Sequence, residues 1–220
     1  MTGWWVTDAW NASPALLVSW VFWVIVSITL HELAHGWAAL RQGDDTPLAT
    51  GHMTWNPVVH MGTFSLIIFA VVGIAWGAMP VNPSRFRSRY GDAIVAAAGP
   101  AMNLLLAVCC IVLGGVWAWA TPRLGLPSNF EDNLQQFFFA GAGLNLVLCA
   151  FNLFPAPPLD GSRILANFYR PYRAVFTTEN GMWFGLGLFL LLWFVFSDRI
   201  FAFGFGTAAF SIAAISGLLP

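Results

Sequence analysis

The chain has 220 residues, of which 58% are hydrophobic and 9% charged, and its mean hydropathy is +0.71. Soluble domains carry about 25% charged residues, so this composition excludes an ordinary soluble protein, and a net charge of −1 argues against a nucleic-acid partner. The apolar runs are long and do not alternate, which predicts an all-α polytopic membrane protein with the lipid bilayer as its surroundings.

Taken in order, residues 1–13 carry Trp4, Trp5 and Trp10, side chains suited to a membrane–water boundary. Residues 14–40 predict the first membrane helix, with Arg41 at its exit. Near its end stands His31-Glu32-Leu33-Ala34-His35. On a helix His31 and His35 lie four residues apart, so their imidazoles stand one turn apart on one face, the spacing that clamps a zinc ion. Glu32 beside them is placed to deprotonate a water. Three ionisable groups in hydrocarbon are costly without partners or work. The N-terminus has no basic region, and the first apolar run carries the motif, so no cleavable signal peptide is expected.

Residues 41–60 are more polar, with turn chemistry at Gly43-Asp44-Asp45-Thr46-Pro47 and an expected extended stretch within 46–60. Residues 61–79 are apolar but glycine-containing. Residues 80–91 hold Arg85, Arg87 and Arg89. A long helix is expected over 92–120, a polar loop over 121–133, and a further helix over 134–155. Asp92 reads as a charge favouring a helix N-terminus. Residues 162–180 are polar, and two closing helices are expected over 181–197 and 200–218, separated by Asp198-Arg199. Cys109, Cys110 and Cys149 lie in apolar runs and read as small buried hydrophobes.

Two histidines leave a catalytic zinc site one protein ligand short. Asp160 is the strongest candidate, a carboxylate just past a helix that Pro155, Pro157 and Pro158 break. Unwound backbone at membrane depth is tolerated where it lines a cavity. With His31-Glu32-Leu-Ala-His35, Gly99-Pro100-Ala-Met-Asn103 and Asn152-Leu-Phe-Pro-Ala-Pro-Pro-Leu-Asp160-Gly161 in this order, the chain resembles the site-2 protease family of intramembrane zinc metalloproteases. The Arg-Gln-Gly-Asp stretch after the first motif and residues 79–87 are similar to its compact prokaryotic branch without a PDZ domain. The resemblance implies one catalytic Zn2+ held by His31, His35 and Asp160, Glu32 as acid/base, and transmembrane or membrane-proximal segments of other proteins as substrates. It also suggests that the substrate pairs with an exposed edge, for which 46–60 is the expected strand. Asn152 is a candidate for pinning substrate backbone; a cap on the broken helix is an equal reading.

The two metal motifs end their helices on one side only if an odd number of crossings separates them. Residues 61–79 are therefore expected to re-enter the membrane without crossing. That arrangement, with the N-terminus outside and the C-terminus cytoplasmic, puts seven of nine arginines inside and leaves Arg123 and Arg199 outside, the bias the positive-inside rule predicts. The expected architecture is a single domain over 1–220: a three-helix catalytic core (about 14–170) with a re-entrant segment, followed by two transmembrane helices (about 181–218). Asn103 and Asn145 are expected to hydrogen-bond between helices, Gly99, Gly141 and Gly143 to allow close helix packing, and His52 and His60 to bond locally. A membrane metal-binding transporter is the alternative function, disfavoured by Glu32 beside the ligands and by the absence of an inverted repeat. A prenyl-type membrane protease is disfavoured because neither Glu131 nor Glu179 lies in a partner motif.

Overall fold

The computed structural model describes residues 4–176 and 178–219. Residues 1–3 and 220, at the ends of the expected domain, and Thr177 in the polar 162–180 segment lie outside the described residues.

A short helix α1 (Trp5–Ala12) leads into α2 (Pro14–Gln42). Pro14 takes the first helical position, where no N–H is needed, and the Ser13 hydroxyl accepts from Leu16 N at 3.2 Å. One turn of helix, α3 (Thr46–Ala49), and a series of turns follow. The expected strand within 46–60 is therefore corrected: Pro47 and Pro57 each sit in the first turn of a helix, and no strand occurs among the described residues. The next helix, α4 (Pro57–Val72), is kinked at Gly62, whose φ of 68° no side-chain-bearing residue adopts cheaply.

Gly73, at φ 85°, ends α4 and reverses the chain. Residues 74–82 then run back along α4 without regular secondary structure. Ser65 clamps them, its hydroxyl donating to Trp76 O at 2.8 Å and accepting from Trp76 N at 2.9 Å, and Ala78 N donates to His60 O. The return finishes beside the end of α2, where Asn82 N donates to Asp44 Oδ2 at 2.7 Å and Arg87 N to Gln42 O at 2.9 Å. Residues 57–82 thus leave and return at one end of the bundle, the re-entrant course that the parity of the metal motifs demands.

The bundle is completed by α5 (Gly91–Leu124), α6 (Ser128–Asn152), two short helices α7 (Asp160–Phe168) and α8 (Arg170–Phe176), and α9 (Glu179–Leu218). Among the described residues, four helices are long and apolar enough to cross a membrane: Pro14–Gln42, Gly91–Leu124, Ser128–Asn152 and Trp183–Leu218. The expected loop over 121–133 shrinks to three residues, because α5 runs on to Leu124 and α6 begins at Ser128, with Glu131 in its dipole-favoured first turn.

The two expected closing helices are a single 40-residue helix. Asp198 and Arg199 are charged but neither removes a hydrogen bond nor demands an unusual φ, so the helix runs through them. It lies antiparallel to α6: Trp193 packs on Phe151, while Phe205 lies against Gly143. Its far end reaches Gly114 and Gly115 of α5 through Ile212 and Ile215. The end of α9 therefore lies at the same end of the bundle as the start of α2, where Ser13 Oγ donates to Gln136 Oε1. Two crossings would have set the termini on opposite faces. Arg199, expected in an outer loop, instead sits mid-helix.

The apolar core occupies the half of the bundle at this end. Trp23, Cys110, Ala140, Ala142, Leu144 and Ala208 are buried together, and Trp23 Nε1 donates to Phe137 O at 2.9 Å. All three cysteines are free; Cys110 is buried as expected, but Cys109 is exposed on the outside of the bundle. The other half, between α2, α5, α6 and α7, is polar within.

Candidate metal centre

The metal motif lies in the last three turns of α2, facing α5. His31, Glu32, His35 and Asp160 are all between 5% and 8% exposed. Asp160 opens α7, directly after the proline-broken turn. Two contacts hold it there: Arg163 Nη2 donates to Asp92 Oδ1 of α5 at 2.7 Å, and Gly161 lies so close to Leu153 that a Cβ would meet its carbonyl oxygen at 2.2 Å.

These elements bring three donor atoms together across 125 residues of chain separation between His35 and Asp160. His31 Nε2 and His35 Nε2 lie 3.1 and 3.3 Å from Asp160 Oδ2, and 3.0 Å from each other. Among the described residues this is the group of three or more His, Cys, Asp or Glu side chains able to hold a metal ion. His52 and His60 do not join it. They bond locally, His52 Nδ1 to Thr50 Oγ1 at 3.0 Å and His60 Nε2 to Thr54 O at 2.7 Å.

The far nitrogens of both ligand-type rings are engaged. His35 Nδ1 lies 2.7 Å from Val95 O, and His31 Nδ1 lies 2.6 Å from Asn103 Oδ1. A carbonyl can only accept, so each Nδ1 carries the hydrogen and each Nε2 presents a lone pair. Two lone pairs and a buried carboxylate oxygen then face one another within 3.3 Å. Asp160 Oδ2 itself has no hydrogen-bond partner. Such an all-acceptor cluster is electrostatically unfavourable alone and suits a cation. Two imidazoles and one carboxylate are a donor set that zinc favours.

Gly99 forms the floor. A Cβ there would lie 2.5 Å from His31 Cε1, His31 Nε2 and His35 Nε2. The sequence marked this glycine for helix packing; its neighbours are the imidazoles themselves. Beside the cluster is a cavity of about 550 Å³ lined by His31, Glu32, Asn103 and Asn152, and by residues 74–77 of the return segment. Asn152 lines this cavity, and its Nδ2 donates back to Leu148 O within α6 at 3.0 Å. The lining by residues 74–77 was not foreseen; Gly77, whose Cβ would meet Glu32 Oε1 at 2.7 Å, was its signal.

A family model described as peptidase family M50 matches residues 19–194, which contain every element of this centre. The chain belongs to peptidase family M50. It is 40% identical over 176 residues to a Bacillus subtilis protein named as a zinc metalloprotease, YwhC, a match that covers 78% of each chain. It is 31% identical over 158 residues to a Mycolicibacterium smegmatis protein named as a zinc metalloprotease, Rip2, covering 67% of this chain and 56% of that one. Comparison with solved structures gives no match. This M50 peptidase is a multi-pass, membrane-embedded zinc metalloprotease, an endopeptidase acting on membrane proteins. The transporter alternative is not favoured.

Proposed function

We propose that His31, His35 and Asp160 hold one zinc ion and that Glu32 is the acid/base for peptide hydrolysis in or beside transmembrane segments. The observation that carries this reading is the convergence of three buried acceptor atoms on one point, with Glu32 and a cavity alongside. A bound zinc supplies Lewis acidity and lowers the pKa of a water towards neutrality. Glu32 accepts the proton of the attacking water on a carboxylate oxygen and later gives it to the leaving amine. Burial among α2, α5 and the return segment keeps bulk water from the reacting bond while leaving Glu32 open to the cavity.

The substrate must be extended to reach the site, since a helix hides its carbonyls. Residues 74–79 offer an edge for it. Trp76 and Ala78 spend backbone bonds on α4, and in an extended chain the backbone groups of Ala75, Gly77 and Met79 point the opposite way. Asn152 also lines the cavity and is offered as a partner for substrate backbone. Arg41, Arg85, Arg87, Arg89, Arg163, Arg170 and Arg173 gather at the end of the bundle nearer the metal centre, which supports reading that end as cytoplasmic and the start of α2 as external.

The test is bound zinc and cleavage of a generic membrane-segment substrate, measured on purified protein in detergent. Glu32→Gln is expected to keep zinc and lose cleavage by at least about 100-fold; Asp160→Ala is expected to lose both. Full zinc and full activity in Asp160→Ala would remove the third ligand from the scheme.

A further inference from the structure

Asn103 on α5 and Asn145 on α6 are both fully buried. Their side chains form a chain of hydrogen bonds that has only one possible direction. It starts at a backbone carbonyl. Asn145 Nδ2 lies 2.9 Å from Gly141 O, which can only accept, so the amide nitrogen must face it. Asn145 Oδ1 is thereby turned to Asn103 and accepts from Asn103 Nδ2 at 2.9 Å. Asn103 has then spent its donor side, and its Oδ1 is left facing His31 Nδ1 at 2.6 Å. An oxygen there requires the hydrogen on Nδ1, which leaves the Nε2 lone pair directed at His35 and Asp160. His35 needs no such relay, because Val95 O accepts from it directly.

The anchor is itself closely packed. A Cβ on Gly141 would meet the Trp23 indole at 2.4 Å, and that indole donates to Phe137 O one turn earlier on α6. Without Asn145, the Asn103 amide has no reason to keep its oxygen towards His31. Turned over, it would present N–H to Nδ1, favour the hydrogen on Nε2, and set an N–H where a metal ligand is needed.

We propose that Asn145 is a positioning residue of the metal centre: acting through Asn103, it holds His31 in the Nδ1–H tautomer and so sets the affinity for zinc. This inference rests on the ligand assignment proposed above. Partners that orient ligating histidines contribute about 10- to 100-fold in metal affinity. A residue that merely joined α5 to α6 would change thermal stability and leave the metal site alone.

The experiment uses the full chain in detergent. Zinc affinity is read by competition with a chelator, coordination by the visible spectrum of the cobalt-substituted protein, and stability by Tm. Asn145→Leu is expected to weaken zinc about 10- to 100-fold and to alter the cobalt spectrum. Asn145→Ala gives the same reading if the leucine variant does not fold. Asn103→Asp supplies the decisive background, because a carboxylate accepts with either oxygen and has no N–H for Asn145 to orient; the Asn145 Oδ1 left facing it is then removed by Asn145→Leu. In that background Asn145→Leu is expected to cost less than about 3-fold in zinc affinity.

Wild-type affinity and spectrum in Asn145→Leu, with only Tm lowered, would overturn the inference. So would an equal loss in both backgrounds. Asp160→Ala separates the two levels of argument. If it binds zinc as wild type does, the ligand assignment fails and takes the inference with it; if it loses zinc while Asn145→Leu does not, the inference alone fails.

Discussion

Gly99→Ala adds one methyl group at the floor of the metal centre. The new Cβ would lie 2.5 Å from His31 Nε2 and His35 Nε2, whereas carbon contacts settle near 3.5–4.0 Å, so the rings must withdraw by about 1 Å. They have little room to do so, because Asn103 and Val95 tether their far nitrogens at 2.6 and 2.7 Å. Metal–ligand distances tolerate only about 0.2 Å. Overpacking costs about 1–3 kcal/mol, and if that falls on the ligands, zinc affinity drops roughly 5- to 150-fold. The fold should survive, since alanine in a helix is better than glycine by about 1 kcal/mol. The assay pairs chelator competition with Tm of the zinc-free protein. Wild-type zinc affinity in this variant would refute the account of how the imidazoles are held.

Gly77→Ala brings a Cβ to 2.7 Å from Glu32 Oε1 and from Ile28 Cγ2; kcat is expected to fall about 10- to 100-fold with zinc retained, read by single-turnover cleavage beside a zinc determination. Asp44 ties the return segment to α2. Burial works against its charged form, but bonds from Asn82 N, Thr46 Oγ1 and Thr46 N, with Arg85 nearby, outweigh burial and hold its carboxyl below the usual range. Its contribution to stability is therefore complete above the unfolded value of about 3.9 and lost as pH falls through the lower folded value. Tm measured from pH 6 downwards should drop in wild type, and the drop should be shallower in Asp44→Asn. Finally, single cysteines placed at Pro14 and Leu218 in a cysteine-free background should label from one side of the membrane and Arg170→Cys from the other; labelling of the two ends from opposite faces would contradict a continuous α9.

The metal motif was legible because its spacing is local: two imidazoles one turn apart declare themselves without tertiary information. Asp160 stood out as the candidate third ligand because three prolines announce a broken helix next to a carboxylate, and the structure brings it to the two imidazoles. The re-entrant course followed from requiring both motifs at one end. The extended segment was misplaced for a physical reason. Residues 46–60 are polar and were expected to offer the extended edge, yet Pro47 and Pro57 sit in the first turns of helices; residues 74–79 fell within the apolar 61–79 stretch expected to re-enter, and nothing in their composition showed that past Gly73 they would return without forming helix. Polarity likewise misled at 121–133, where acidic residues extend a helix. The partners of the imidazole Nδ1 atoms could not be read at all in the case of Val95, because a backbone carbonyl leaves no mark in a sequence.

Placing the third ligand on α7 has a consequence for biosynthesis. On the proposed ligand set, His31, Glu32 and His35 enter the membrane early, long before Asp160 is synthesised. A half-made chain holds two imidazoles and an acid/base but no complete metal site. Hydrolytic competence therefore arrives only when α5, α6 and the proline turn are in place, so that a stalled or truncated nascent chain stays inert towards its neighbours in the bilayer.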